Sequence, residues 1–229
     1  MSNKPLKASD QRKLNELMKK KTRSVETMMM FPPYMYIVSE GIKTEPNYIR
    51  GLVDKINNKY KKYLPGDRIV VRGTGRNTKS LLEFARKMVD REFPQAESVW
   101  LLYDKDDFPY DDFDNTQYSA EQREDTRKYR VAWSNECIEL WFLLHFQELH
   151  ANVGREQYYK MLSEHLTSLG CGKYEKNIAN IYDILSNNTD VAISRAEKQY
   201  KEYGDDVPPS KRCPATRIYE LIRILKEYI

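Results

Sequence analysis

The sequence predicts an α/β fold, a four-stranded, mostly parallel sheet flanked by helices, with a helical C-terminal extension. Three observations carry this. Short apolar runs of strand composition alternate with helix-period segments from Tyr34 to Trp133. After Ser134 the strand-like runs stop and helix-period segments take over. No long linker, internal repeat or low-complexity stretch separates the two halves. The expected organisation is a basic N-terminal arm (1–33), an α/β core (34–135) and a helical extension packed on it (136–229).

The elements follow in order. A weak helix is expected from Asp10 to Lys21, stopped by Pro32-Pro33. Tyr34–Ser39 is the first strand and ends at Glu40-Gly41. From Pro46, the residues Tyr48, Ile49, Leu52, Val53 and Ile56 recur at helix spacing. Arg68–Arg72 is the second strand. Asn77 or Thr78 then caps a helix carrying Leu81, Leu82, Phe84, Ala85, Met88 and Val89. Ser98–Tyr103 is the third strand, and a strongly acidic loop follows it. A helix near Ser119–Lys128 leads to the fourth strand, Tyr129–Trp133. Beyond it, helices are expected at 139–145, 158–169, 177–185, 190–203 and 217–228, punctuated by Gly170-Cys171-Gly172 and Pro208-Pro209.

Composition narrows the function. Seventeen Tyr, seven Phe and three Trp among 229 residues supply enough aromatic surface for a core, so wholesale disorder is excluded. No apolar run approaches the length of a membrane span, and the polar, basic start has no leader-like apolar stretch. Three scattered cysteines build neither a disulfide framework nor a zinc knuckle, which points to a reducing cytoplasm. The net charge of +4 is unevenly spread. Residues 1–23 hold eight Lys and Arg against two acids, which reads as a solvated terminus or as an arm for nucleic-acid phosphates.

In a parallel sheet the functional crevice lies outside the carboxyl ends of the strands. Two such ends carry acids here: Glu40 after the first strand, and Asp104, Asp106 and Asp107 after the third. Carboxylates from separate strand ends can converge, and hard oxygen donors suit Mg²⁺ or Mn²⁺. In Asp104-Lys105-Asp106, alternation points both carboxylates the same way. The loop Gly73-Thr74-Gly75-Arg76-Asn77 opens a helix but fails the Walker pattern at Thr78. It reads as a flexible turn and helix cap, with Arg72, Arg76 and Lys79 able to contact a substrate phosphate. His145 sits in an apolar block and reads as a hydrogen-bonded core histidine.

Three blocks resemble the RloB family: Ile37-Val38-Ser39-Glu40-Gly41-Ile42-Lys43-Thr44-Glu45-Pro46-Asn47-Tyr48, Leu102-Tyr103-Asp104-Lys105-Asp106-Asp107-Phe108-Pro109 and Ser134-Asn135-Glu136-Cys137-Ile138-Glu139-Leu140-Trp141-Phe142-Leu143-Leu144-His145-Phe146. Tyr174-Glu175-Lys176 and Cys213-Pro214-Ala215-Thr216 are similar to weaker later blocks, with Glu136 standing where Pro is usual. The resemblance spans roughly residues 34–226 and implies a Toprim-like domain. It places Glu40 at the Toprim glutamate and Asp104 and Asp106 at its D-x-D. What it implies is a divalent-metal-dependent nuclease acting on DNA or RNA, including tRNA, in antiviral defence, often beside an ATPase partner subunit. The alternative is a non-catalytic subunit that binds nucleic acid or an ATPase.

The expected mechanism has Asp104 and Asp106 holding Mg²⁺ or Mn²⁺, with Glu40 as a further ligand or as general acid/base. Lys43 contacts a phosphate or the developing charge in catalysis, and Asp107 or Glu45 supports a second metal. Glu136 and Glu139 are expected near the same crevice. No membrane partner is expected, and a homodimer is compatible with the sequence.

Overall fold

A computed structural model describes residues 9, 11–13, 16, 30–106, 109–123 and 125–229, without the side chains of Lys79, Tyr110 and Asp111. The chain forms two compact units, Met1–Phe31 and Pro32–Ile229. In the first, residues 9, 11–13 and 16 are helical; the rest of the expected Asp10–Lys21 helix lies outside the described residues.

The second unit is built on β1 (Met35–Ser39), β2 (Ile69–Gly73), β3 (Ser98–Asp104), β4 (Lys128–Asn135) and β5 (Ala215–Thr216), in spatial order β2-β1-β3-β4-β5. The sheet therefore has five strands, not four. β1 to β4 are parallel, and β5 is antiparallel to β4, pairing through Ser134–Thr216 and Asn135–Ala215. Two residues are too few to show alternation, so β5 left no strand-like run in the sequence.

The alternation of β1 and β3 sends side chains to two separate cores. Met35, Ile37, Trp100 and Leu102 face one; Tyr36, Val38, Val99, Leu101 and Tyr103 face the other. On the first face lies α1 (Thr44–Tyr60), with α4 (Glu139–Leu144), α5 (Arg155–Ser168), α6 (Ile181–Leu185), α7 (Thr189–Lys201) and α8 (Ile218–Lys226). The second is covered by α2 (Thr78–Glu92) and α3 (Tyr110–Glu121). Burial on both faces explains why these strands read as continuous apolar runs.

Helix α3 begins at Tyr110 and takes in Asp112 and Asp114 of the acidic stretch, while Lys105, Asp106 and Pro109 stay outside it; the expected Ser119–Lys128 helix ends at Glu121. Its buried stripe is Phe113, Thr116, Gln117 and Ala120, at helical spacing but half polar. The Gln117 carbonyl accepts the Trp133 indole N–H at 2.7 Å, which makes a polar residue tolerable there. Ser210 donates to Asp114 through its backbone N–H at 2.7 Å and its hydroxyl at 2.6 Å. The expected 177–185 helix is shorter and starts at Ile181, because Asn177 adopts φ +84° and breaks the helical path.

The route of the chain sets the crevice. From β1 it passes through α1 to the edge strand β2, then back across through α2 to β3. The direction of winding reverses between β1 and β3, and ligand crevices form at that reversal. Glu40 follows β1 and Asp104 closes β3. Among the described residues, no helix is long and apolar enough to cross a membrane.

Candidate active site

A cavity of about 200 Å³ opens at the reversal point, lined by Glu40, Glu45, Asp104, Asp106 and Glu139, with Arg155 and Lys176 on its wall. Five carboxylates thus face two cations. Expected site residues Glu40, Asp104 and Asp106 are brought together, and Glu45 and Glu139 join them. Lys43 is exposed just before α1 and does not line the cavity. Nor do Arg72 and Arg76. Arg72 pairs with Glu92 at 3.0 Å, and the Arg76 guanidinium lies 4.4 Å from the Phe84 ring centroid. Asp107 lies outside the described residues, as does the Lys79 side chain.

Glu40 is fixed by its neighbours. Its backbone N–H donates to the Leu102 carbonyl at 2.8 Å, and its carbonyl accepts from Gly75 N–H at 2.8 Å. The Thr78 hydroxyl donates to its carboxylate at 2.9 Å. The 73–77 turn and the helix start after it therefore brace the end of β1. Thr74 reinforces this, donating to the Ser39 carbonyl through its N–H and its hydroxyl. The same loop ends in the cap of α2, where the Asn77 side chain accepts from Ser80 N–H at 3.2 Å.

Asp104 accepts from the Ile138 N–H at 3.1 Å. Glu139 is buried and accepts from the Tyr174 hydroxyl at 2.8 Å. The Glu45 carboxylate rests on Gly41, where a Cβ would fall directly onto it. Asp106 turns out of β3 at φ +40°, donates its N–H to the Glu136 carbonyl at 3.1 Å, and forms an ion pair with Arg155. Lys176 lies 5.4 Å from the Tyr159 ring centroid.

Crowding like charges in a partly dry cavity favours protonation. Burial, opposed by the Thr78 hydrogen bond and reinforced by Glu45, pushes Glu40 up to about 7. Burial, then the charges of Glu45 and Glu139, hold Asp104 well above the usual carboxylate range, with the Ile138 amide opposing. Burial raises Glu45 too, partly offset by backbone N–H groups including that of Gly41. Cys137 borders the cavity, but burial, with Glu139 and Asp104 beside it, keeps its thiol protonated far above neutrality. It is no nucleophile at pH 7.

Replacing Thr78 by Val removes the strongest group holding the Glu40 carboxylate in its charged form. The Glu40 titration is expected to move from about 7 to above neutrality. A carboxyl-carbon NMR titration of Thr78→Val against the parent protein checks this.

His145 stays outside the site. It is buried, its Nδ1–H donates to the Trp141 carbonyl at 3.0 Å, and its Nε2 accepts from the Tyr48 hydroxyl at 3.2 Å. Burial pushes it down to about 4, so it is the neutral core histidine its apolar surroundings in the sequence indicate. Arg155 and Lys176 are the site residues that local patterning gave no reason to choose, although Lys176 closes one of the weaker resembling blocks.

The sequence model of the family described as RloB-like protein matches residues 35–225. No curated protein and no solved structure matches the chain. The matched span opens on the first residue of β1 and closes within α8. It takes in every residue that lines the acidic cavity. The chain is therefore a member of the RloB-like family.

Proposed function

We propose that this protein is a divalent-metal-dependent phosphodiesterase that cleaves nucleic acid, in the restriction- or defence-associated setting that RloB-like membership suggests. The observation that carries it is the meeting of Glu40 and Asp104 at the winding reversal, each raised by burial and by neighbouring acids. Such a set is frustrated as it stands. A divalent cation relieves it, and hard carboxylate oxygens suit Mg²⁺ or Mn²⁺.

Among the described residues, no three His, Cys, Asp or Glu are grouped closely enough to hold a metal ion. Mg²⁺ does not require three, since it is held through one or two carboxylates and keeps its waters. Glu40 and Asp104 are the residues that would hold it, with Asp106 joining when its pair with Arg155 opens. Bound there, the cation would polarise a phosphate and acidify its water.

The chain's own groups have defined parts. Glu40 either joins Asp104 on the cation or, left off it, can take or return a proton close to neutrality. Tyr174 holds Glu139 in place, and the Ile138 N–H orients Asp104. Arg155 and Lys176 supply positive charge for a phosphate.

A second reading is a non-catalytic subunit that binds nucleic acid or an ATPase. The Asp106–Arg155 ion pair favours it, because it occupies one acid of the expected set. Labelled tRNA, single-stranded DNA and plasmid DNA, each incubated with Mn²⁺, Mg²⁺ or EDTA, separate the two. Metal-dependent products that disappear in Glu40→Gln support the enzyme. Nucleic-acid binding without products or metal uptake supports the subunit.

A further inference from the structure

Two cations share the cavity with five carboxylates, and they are held differently. Lys176 rests against Tyr159, within the field of buried Glu139. Arg155 is paired with Asp106, and both side chains are about one-third exposed. Arg155 is also the first residue of α5, directly after Gly154 at φ +81°. A cation at a helix N-terminus meets the positive end of the helix dipole. No side chain caps α5. The guanidinium is therefore placed where an anion belongs, and at present Asp106 is that anion.

We propose that Arg155 is a nucleic-acid phosphate-binding residue held in reserve by Asp106. This rests on the metal-dependent reading above. One carboxylate cannot serve a guanidinium and a divalent cation equally well, so turning Asp106 to the cation frees Arg155. The freed guanidinium has the fork geometry that phosphate oxygens accept. The uncapped N–H groups of α5 lie beside it and favour the same charge. Without metal, Arg155 is tied up and the acidic cavity repels phosphate. Phosphate engagement is thereby coupled to metal loading, and an unloaded site does not sequester nucleic acid.

The coupling predicts opposite signs for neighbouring acids. In EDTA, Asp106→Asn is expected to bind a fluorescein-labelled single-stranded oligonucleotide about tenfold more tightly than the parent, measured by anisotropy. Arg155→Gln is expected to weaken oligonucleotide binding in Ca²⁺ by a similar factor. It is also expected to tighten Mn²⁺ binding about threefold in calorimetry, because a competitor for Asp106 is gone. The double variant Asp106→Asn/Arg155→Gln separates release of Arg155 from simple loss of negative charge. Disappearance of the gain in the double variant supports the inference. Its persistence overturns the inference, as does Mn²⁺ affinity unchanged by Arg155→Gln. A parent protein that takes up no Mn²⁺ overturns the metal-dependent reading itself, which is a different result from either of these.

Discussion

Asp104→Asn is expected to make the metal-free protein more stable while removing its metal-dependent cleavage. Asp104 stands among Glu40, Glu45 and Glu139, and its ionised form is disfavoured by burial and by those charges. Asn keeps the shape and still accepts the Ile138 N–H, so no buried donor is orphaned. What disappears is the repulsion. A gain of about 1–2 kcal/mol at pH 7.5 is the expected size, after discounting for solvent in the open cavity. Cleavage should fall by about a thousandfold or more, since a principal metal ligand is gone. Denaturant melts in EDTA and product formation in Mn²⁺ read the two effects independently. Stability lost together with activity would show that Asp104 is structural, not a strained functional acid.

Stability of the metal-free protein should fall as pH rises through neutrality. A carboxyl group raised on folding binds its proton more tightly in the native state than in the unfolded chain. Glu40, raised to about 7, therefore costs stability as pH climbs from the unfolded value of about 4.5 towards 7. The cost is fully present above 7. Asp104 and Glu45, also raised, add in the same direction. Metal-free protein should be more stable near pH 5 than near pH 7.5, the reverse of a protein held by salt-bridged carboxylates. Mn²⁺ should flatten that slope, because a bound cation replaces the protons.

β1 and β3 are legible because burial on both faces writes a continuous apolar run, and β2 and β4 because their buried residues still form short apolar runs beside exposed Arg72, Lys128 and Arg130. Glu40 and Asp104 were legible for a related reason. They are the first acids met on leaving two such runs, and the topology then brings those ends together. Asp106 reaches the same cavity, but through a turn at φ +40° rather than by strand alternation, which is how it meets Arg155. Helix α3 starts earlier than local patterning indicates because its buried stripe contains Thr116, satisfied by the Asp112 and Thr78 carbonyls, and Gln117, satisfied by Trp133, a partner invisible to local patterning. Arg155 and Lys176 were missed on the same grounds. Surface lysines and arginines abound in this chain, and only their place on the wall of the cavity that Asp104 and Asp106 line marks these two. Arg72 and Arg76 show the converse. They flank a loop of suggestive composition, yet the folded chain spends them on Glu92 and Phe84.

Gly73→Ala is the substitution expected to damage the site most without touching any acid. Gly73 closes β2 beside Ser39 of β1. A Cβ there would lie 2.8 Å from the carbonyl oxygens of both Gly41 and Ile42, and 3.0 Å from the Ile42 Cα. All three are backbone atoms, so relief cannot come from a rotamer change. The 40–42 segment must move. That segment carries Glu40, and Gly41 within it is the seat of the Glu45 carboxylate. Overpacking of this kind costs about 1–3 kcal/mol. The larger effect falls on chemistry, because displacing a functional group by about 1 Å costs on the order of a hundredfold in rate. Gly66→Ala is the matched control, since a Cβ there meets nothing within 4 Å. It should leave activity unchanged and stability equal or slightly higher, through the unfolded chain. A Gly73→Ala protein that melts within a few degrees of the parent, binds Mn²⁺ weakly and cleaves poorly would place the defect in the geometry of the 40–42 segment. Full activity in that variant would mean that the acids do not depend on β2 for their position, and that the brace from the 73–78 loop to Glu40 is dispensable.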